Sequence, residues 1–191
     1  MKFINKSSVI GFTLGAIISP LIVIGGLYLY ILTQMDDPGM GDFPAPEIPV
    51  HSKVDINWNL KSTAGTEFNL EEEFKDKVVF INFWATWCPP CIAEMPTIEK
   101  LYQKYKDKIG FAMISNEDIG MIEDFRNRNK YTFPVYQIEM DIPEVFNLSV
   151  IPATFIISPD RKIALKHVGG ANWNHEDVMK YLDELIENKS N

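Results

Sequence analysis

From Val9 to Ile31 the chain carries no charged residue, and Leu32, Thr33 and Gln34 prolong the run towards Asp36. A helix needs about 20 mostly apolar residues to cross the hydrocarbon core of a bilayer. The run meets that length, so residues 9–34 are expected to form a transmembrane signal anchor, held by lipid. Lys2 and Lys6 precede it and Asp36 and Asp37 follow it. Basic residues favour the cytoplasmic side, which places residues 1–8 inside and the rest of the chain in the periplasm or outside the cell. The competing reading is a cleaved signal peptide, whose apolar region runs about 7–15 residues and ends in small side chains. Here the run is longer and ends Leu27-Tyr28-Leu29-Tyr30-Ile31-Leu32, with tyrosines suited to the outer interface. Pro20 and Gly25-Gly26 are tolerated in a spanning helix.

Pro38, Pro44, Pro46 and Pro49, with Gly39 and Gly41, make residues 35–50 a Pro-rich linker of semi-rigid, extended chain. Residues 51–191 remain, enough for one domain with a real core. With Lys2 and Lys6 set aside, 16 basic side chains face 26 acidic ones, a formal charge of −10. Such a body is a poor match for nucleic acid, whose affinity for proteins rests on Lys and Arg neutralising phosphates. A hydrophobic content of 46% excludes a disordered chain. Two cysteines exclude a disulfide-dense scaffold and a four-thiolate zinc site.

Within the domain, apolar runs alternate with helical patterns. Val54, Ile56, Trp58 and Leu60 alternate with Asp55, Asn57 and Asn59, the mark of a half-buried strand over Val54–Leu60. Ala64-Gly65-Thr66 reads as the turn of a hairpin. Val78–Phe83 is a nearly continuous apolar run, as in strands covered on both faces. Ile92, Met95, Ile98, Leu101, Tyr102 and Tyr105 recur at helical spacing. A strand is expected over 109–114, a helix around Ile119, Ile122 and Phe125, and a short strand over 134–138. A helical turn is expected over 143–146, with Asn147 as a left-handed stop. Thr154–Ile157 and Lys162–Val168 flank Ser158-Pro159-Asp160-Arg161 as a second hairpin. Val178, Tyr181, Leu182, Leu185 and Ile186 mark a closing amphipathic helix, with Asn174 as its expected cap. Strands alternating with helices predict an α/β layer fold.

The chemistry is concentrated at Trp84-Ala85-Thr86-Trp87-Cys88-Pro89-Pro90-Cys91, where an expected strand ends and an expected helix begins. The thiolate is the reactive form of cysteine, and a helix N-terminus stabilises negative charge. Cys88 at the cap is therefore the expected exposed nucleophile. Cys91, one turn in, is the shielded resolving thiol that completes disulfide exchange. Pro89 suits the first helical turn, which needs no N–H. Pro89 and Pro90 remove two donors beside the sulfur, which predicts a thiol pKa nearer neutral than in strong oxidants and hence a reducing role. Three structural readings compete: a stabilising disulfide across a very short loop, half of a metal site, and inert core thiols. Short loops constrain the unfolded chain least, and His51, His167 and His175 show no ligand spacing among themselves.

Trp-Cys-Pro-Pro-Cys after Val-Val-Phe-Ile-Asn-Phe-Trp-Ala resembles the active site of the thioredoxin superfamily, and most of all the membrane-anchored TlpA/ResA-like thiol-disulfide oxidoreductases. The similarity covers about residues 50–190. Pro96 matches the helix-kinking proline of that fold. Ile151-Pro152-Ala153-Thr154 matches its cis-proline loop, and Gly169 a glycine near that loop. Residues 116–138 match a helix-and-strand insertion. The resemblance implies a thioredoxin-like fold with a central sheet of mixed direction and an N-terminal hairpin. It implies a redox-active Cys88–Cys91 disulfide and a substrate-binding surface of Trp87, Pro89, Pro90, Ile151, Pro152 and Gly169. Ile151 would offer its backbone to an extended substrate, and Pro152 would keep competing ligands from the sulfur.

Glu94 lies three residues after Cys91, on the same helix face. A carboxylate there can take the Cys91 proton during resolution; the alternative is an exposed glutamate favourable to the helix dipole. Asn82 stands where thioredoxins carry a buried proton-carrying aspartate and cannot titrate, which leaves Glu94 as the leading carrier. Trp84 is expected in the core beneath the site and Trp87 at its rim. Phe133-Pro134 suits either the cleft or the core. The expected activity is disulfide reduction, with no cofactor and no metal. The resemblance implies a disulfide-bearing substrate protein such as apocytochrome c, and a membrane thiol protein as electron donor. A disulfide oxidase or isomerase is the alternative within this chemistry. Outside it stand a peroxidase and a copper-binding chaperone of similar fold using His167. The copper carriers use a wider cysteine spacing, and a peroxidase needs a proline- and threonine-rich approach to a lone cysteine.

Overall fold

The computed structural model describes residues 23–27, 29, 53–138, 143–146 and 150–187. The chain divides into two units, Met1–Gly41 and Asp42–Asn191. In the first, residues 23–27 and 29 are helical, with Val23, Ile24, Leu27 and Leu29 exposed. No helix among the described residues is long and apolar enough to cross a membrane. The rest of the expected anchor, the whole linker, His51 and the expected stop at Asn147 lie outside the described residues.

The second unit is built on a seven-stranded mixed sheet. Its strands are β1 (Asn59–Ser62), β2 (Glu67–Asn69), β3 (Val79–Phe83), β4 (Gly110–Ser115), β5 (Val135–Gln137), β6 (Ala153–Ile157) and β7 (Ile163–Val168). They lie in the order β2-β1-β5-β4-β3-β6-β7. The three central strands β5, β4 and β3 run parallel, and the hairpins β1–β2 and β6–β7 close the two sides antiparallel. The helices are α1 (Leu70–Glu73), α2 (Pro89–Tyr105), α3 (Ile119–Arg128) and α4 (Glu176–Glu187). A 3-10 turn spans Glu144–Phe146. The helix α3 and the strand β5 lie within residues 116–138, where a helix and a strand are expected.

The sheet is covered on both faces, so its central strands have no polar side to show to water. All five residues of β3 and all six of β4 are buried. Alternate residues serve opposite layers. Phe80, Phe111 and Met113 join Met95, Ile98 and Leu101 of α2 and Val178 and Leu182 of α4. Val79, Ile81, Phe83 and Ile114 join Trp58, Leu60, Leu70, Phe74 and Phe146 on the other face. Each such aliphatic or aromatic side chain contributes about 1.5–3 kcal/mol when fully buried.

Two sequence expectations need correction. Val54, Ile56, Trp58 and Leu60 are buried and Asp55, Asn57 and Asn59 exposed, as the alternation requires. The regular strand nevertheless begins only at Asn59. Upstream, Lys53 makes an isolated bridge to Lys162, and the Asn57 N–H donates to the Asp55 side chain at 2.7 Å instead of to a neighbouring strand. Alternation reports which face is buried; it does not report pairing. The second correction concerns α4: His175, not Asn174, caps it, with His175 Nδ1 accepting from Asp177 N at 3.3 Å and the His175 carbonyl from Met179 N at 3.2 Å. Asn174 instead donates its N–H to Asn172 Oδ1 at 3.1 Å.

Gly110 opens β4 directly beneath the Phe74 ring, where a Cβ would fall inside van der Waals contact with three ring atoms. Gly110→Ala is expected to destabilise the domain by about 1–3 kcal/mol through overpacking. The measurement is a lowered midpoint of urea unfolding with an unchanged slope.

Candidate active site

The site forms where the carboxyl ends of parallel β3 and β4 meet the start of β6. Asn82 pairs with Thr154 and Phe83 with Ala153, so the end of β3 lies beside the residues that follow Pro152. The chain then passes through Trp84-Ala85-Thr86-Trp87 into α2. Glu117, just beyond β4, fixes this connection by accepting from Thr86 N at 2.7 Å and from Thr86 Oγ1 at 2.6 Å. Trp84 is buried against Phe125, and Trp87 is 68% exposed.

Cys88 is the N-cap of α2. A cap side chain ordinarily receives the N–H of the second or third helical residue. Pro89 and Pro90 fill the first two helical positions and have no N–H. The first donor left is Cys91 N, and it reaches Cys88 Sγ at 3.3 Å. The paired prolines thus leave the cap sulfur with a single helical N–H. Cys88 and Cys91 are joined as a disulfide, their Cα atoms 5.3 Å apart.

Cys88 is not the exposed residue that the sequence predicts: in this oxidised form both cysteines are buried. Cys88 is 3% exposed and Cys91 is fully buried. One side of Cys88 Sγ is taken by its bond to Cys91, and another by the Ile151 carbonyl oxygen 3.8 Å away. The Ile151–Pro152 peptide bond is cis. The N–H of Gly169 donates to the Pro152 carbonyl at 2.8 Å, and Gly169 holds φ +104°, a conformation that side chains disfavour. Pro89 and Pro90 are exposed beside the disulfide. Val150 and Val168, which sequence reasoning did not single out, are exposed next to Ile151 and Gly169. Phe133 belongs to the core, stacked on Tyr131.

Glu94 is not the exposed residue of the alternative reading: none of its surface reaches solvent. Its carboxylate receives three N–H donors. Asn82 Nδ2 reaches Oε1 at 2.8 Å, while Ala171 N and Trp173 Nε1 reach Oε2 at 3.1 and 2.9 Å. Burial pushes its pKa up from 4.5 to about 7, against the opposing pull of the Trp173, Asn82 and Ala171 hydrogen bonds. A buried acid that titrates near neutrality is suited to taking and returning protons. Ala171 and Trp173 escaped sequence reasoning because they arrive from about 80 residues away; a tryptophan just before a helix carries no signal of its partner.

Residues 43–185 match the Redoxin family. The chain belongs to it. It is 33% identical over 136 residues to the thiol-disulfide oxidoreductase ResA of Halalkalibacterium halodurans, covering 69% of this chain and 74% of that one. The ResA of Bacillus cereus is 30% identical over 170 residues, covering 86% and 92%. A crystal structure described as a thiol:disulfide interchange protein DsbE from Chlorobium tepidum has the same fold, with a TM-score of 0.61 at 22% identity over 72% of this chain and 99% of that one. This Redoxin-family chain is a thiol-disulfide oxidoreductase of thioredoxin-like fold, with its close cysteine pair at Cys88 and Cys91.

The native state binds the Glu94 proton more tightly than the unfolded chain does. The contribution to stability is therefore full below about pH 4.5 and falls as pH rises to about 7. The shift corresponds to a loss of about 3 kcal/mol across that window. Glu94→Gln is expected to remove this slope. Urea unfolding of the oxidised protein at intervals from pH 4 to pH 8 measures the difference between the two proteins.

Proposed function

We propose that this oxidoreductase is a disulfide reductase tethered to the outer face of a membrane, with its N-terminus cytoplasmic and its catalytic domain periplasmic or extracellular. One observation carries the reducing direction: the cap sulfur receives a single helical N–H because Pro89 and Pro90 supply none. Fewer donors stabilise the thiolate less, and a less stable thiolate makes a better reductant. The membrane reading rests on the uncharged run of residues 9–34 and its asymmetric flanks.

Reduced Cys88 loses its proton and attacks one sulfur of a substrate disulfide. A Cys88–substrate disulfide forms, and the other substrate sulfur leaves as a thiolate that takes up a proton. Cys91 then gives its proton to Glu94 and attacks Cys88 Sγ. The second substrate sulfur leaves as a thiolate that takes up a proton, Glu94 gives up the proton it accepted, and the Cys88–Cys91 disulfide remains. Two electrons pass to the substrate, and a dithiol protein of the membrane restores the pair by the same exchange in reverse. The substrate lies extended along Ile151 and Pro152, between Trp87 and Gly169, with Pro89 and Pro90 at its edge. Exposed Trp87, Val150 and Val168 favour an apolar segment next to the substrate disulfide. A cytochrome c precursor with a CxxCH pair fits this class of substrate, as the resemblance to the membrane-anchored TlpA/ResA-like oxidoreductases implies.

Three measurements check this reading. The reduction potential of the Cys88–Cys91 pair is expected near that of thioredoxin, about −270 mV; a value near −120 mV marks an oxidant instead. Cys91→Ala is expected to accumulate a mixed disulfide through Cys88, identifiable by mass spectrometry as the physiological substrate. Glu94→Gln is expected to slow release of that mixed disulfide in single-turnover kinetics by about 10²-fold or more, with the Cys88 attack step largely preserved.

A further inference from the structure

Asn82 is fully buried, and both hydrogens of its Nδ2 are engaged: one at Glu94 Oε1 and one at Thr154 Oγ1, each at 2.8 Å. Its Oδ1 is also buried and has no hydrogen-bond partner among the described residues. Nearly all buried polar atoms in folded proteins are paired, so an orphan acceptor beside an ionisable side chain calls for a physical reason.

The reason lies in what Glu94 needs in its two states. Ionised, it only accepts, and its three donors suit it. Protonated, it must donate one hydrogen, yet the three groups around it are all donors as they stand. The two ends of an amide have nearly the same shape, so Asn82 can turn over about its last bond without repacking the core. Turned, Oδ1 stands between Glu94 and Thr154. It then accepts from the Glu94 hydroxyl and from the Thr154 hydroxyl, which can donate as readily as accept. In either setting one end of the amide is paired twice and the other is unpaired. The proton on Glu94 decides which setting is lower in free energy.

We propose that Asn82 is a two-position positioning residue, its amide turned to Glu94 when the carboxylate is ionised and its carbonyl when Glu94 holds a proton. The proposal rests on the reading of Glu94 as acceptor of the Cys91 proton and deepens it. The proton passes from the Cys91 sulfur to a Glu94 oxygen; Asn82 transfers none and only exchanges its role from donor to acceptor. Thr154 supplies the second contact in both settings, because the register sets it opposite Asn82. His167 stands opposite Thr154 on β7, its ring 5.9 Å from that of Trp173. Among the described residues, the titratable groups that face this cluster from the neighbouring elements are Cys91 on α2, held in the disulfide, and His167 on β7.

The test is nuclear magnetic resonance on the oxidised full-length chain in detergent micelles. The Glu94 side-chain carboxyl carbon follows its titration, and NOEs from the Asn82 side-chain amide protons to the Thr154 methyl follow the amide. The NOEs are expected above the Glu94 midpoint and lost below it, with the same midpoint in His167→Gln. Thr154→Val leaves a buried N–H unpaired in the ionised setting but removes only one of two donors in the other. It should raise the Glu94 midpoint by about one pH unit, a tenfold change in proton affinity. If Thr154→Val does not fold, the wild-type NOEs decide alone. NOEs that persist while Glu94 titrates overturn the switch but leave Glu94 as proton acceptor. Unchanged release of the mixed disulfide in Glu94→Gln overturns that acceptor role itself.

Discussion

A carboxylate with no access to water, held by three N–H donors, is the interaction on which the active site depends. Placing Glu94 in the core penalises its charged form, and Asn82, Ala171 and Trp173 restore part of what is lost. The balance leaves an acid that is divided between its two forms near neutrality. A fully solvated glutamate would be almost wholly ionised there, and an unassisted buried one almost wholly protonated. The same hydrogen bonds tie α2 to β3 and to the segment before α4. Glu94 is therefore also a fastening between the helix that bears the cysteines and the sheet beneath it.

The reactive pair depends on a second constraint, the junction between β3 and α2. Helices expose unsatisfied N–H groups at their starts. Here two of those positions are proline, so Cys88 Sγ meets one donor, from its own partner Cys91. Glu117 holds Thr86 just ahead of the junction, and the Ile151 carbonyl stands on the open side of the sulfur. The disulfide is consequently ordered from three directions while Trp87 stays in solvent. Rigid support below and an exposed apolar rim above suit a site whose substrate is another polypeptide.

Much of this was legible from residue order. The β3 and β4 runs, the apolar stripe of α2 and the β6–β7 hairpin follow from periodicity and turn chemistry, because those signals are local. The Trp84–Cys91 segment declared its chemistry because an isolated pair at a strand-to-helix boundary has few other uses. Alternation at Val54–Leu60 identified the buried face but overstated the ladder, since pairing depends on a neighbour strand that local pattern does not encode. Asn174 looked like a helix cap by residue type. The cap is His175, because the backbone turns one residue later and brings the imidazole to the exposed N–H.

Residue order is enough for the elements, the two layers that cover the sheet and the identity of the cysteine pair, since each depends on neighbours within a few turns of chain. Folding in three dimensions is what buries Glu94, makes Asn82 and Trp173 its donors, and closes Ile151 over Cys88. These contacts join residues 12, 79 and 63 positions apart. Their energies depend on desolvation and on the direction of single hydrogen bonds, quantities that exist only once the sheet has set β3, β6 and the segment before α4 side by side.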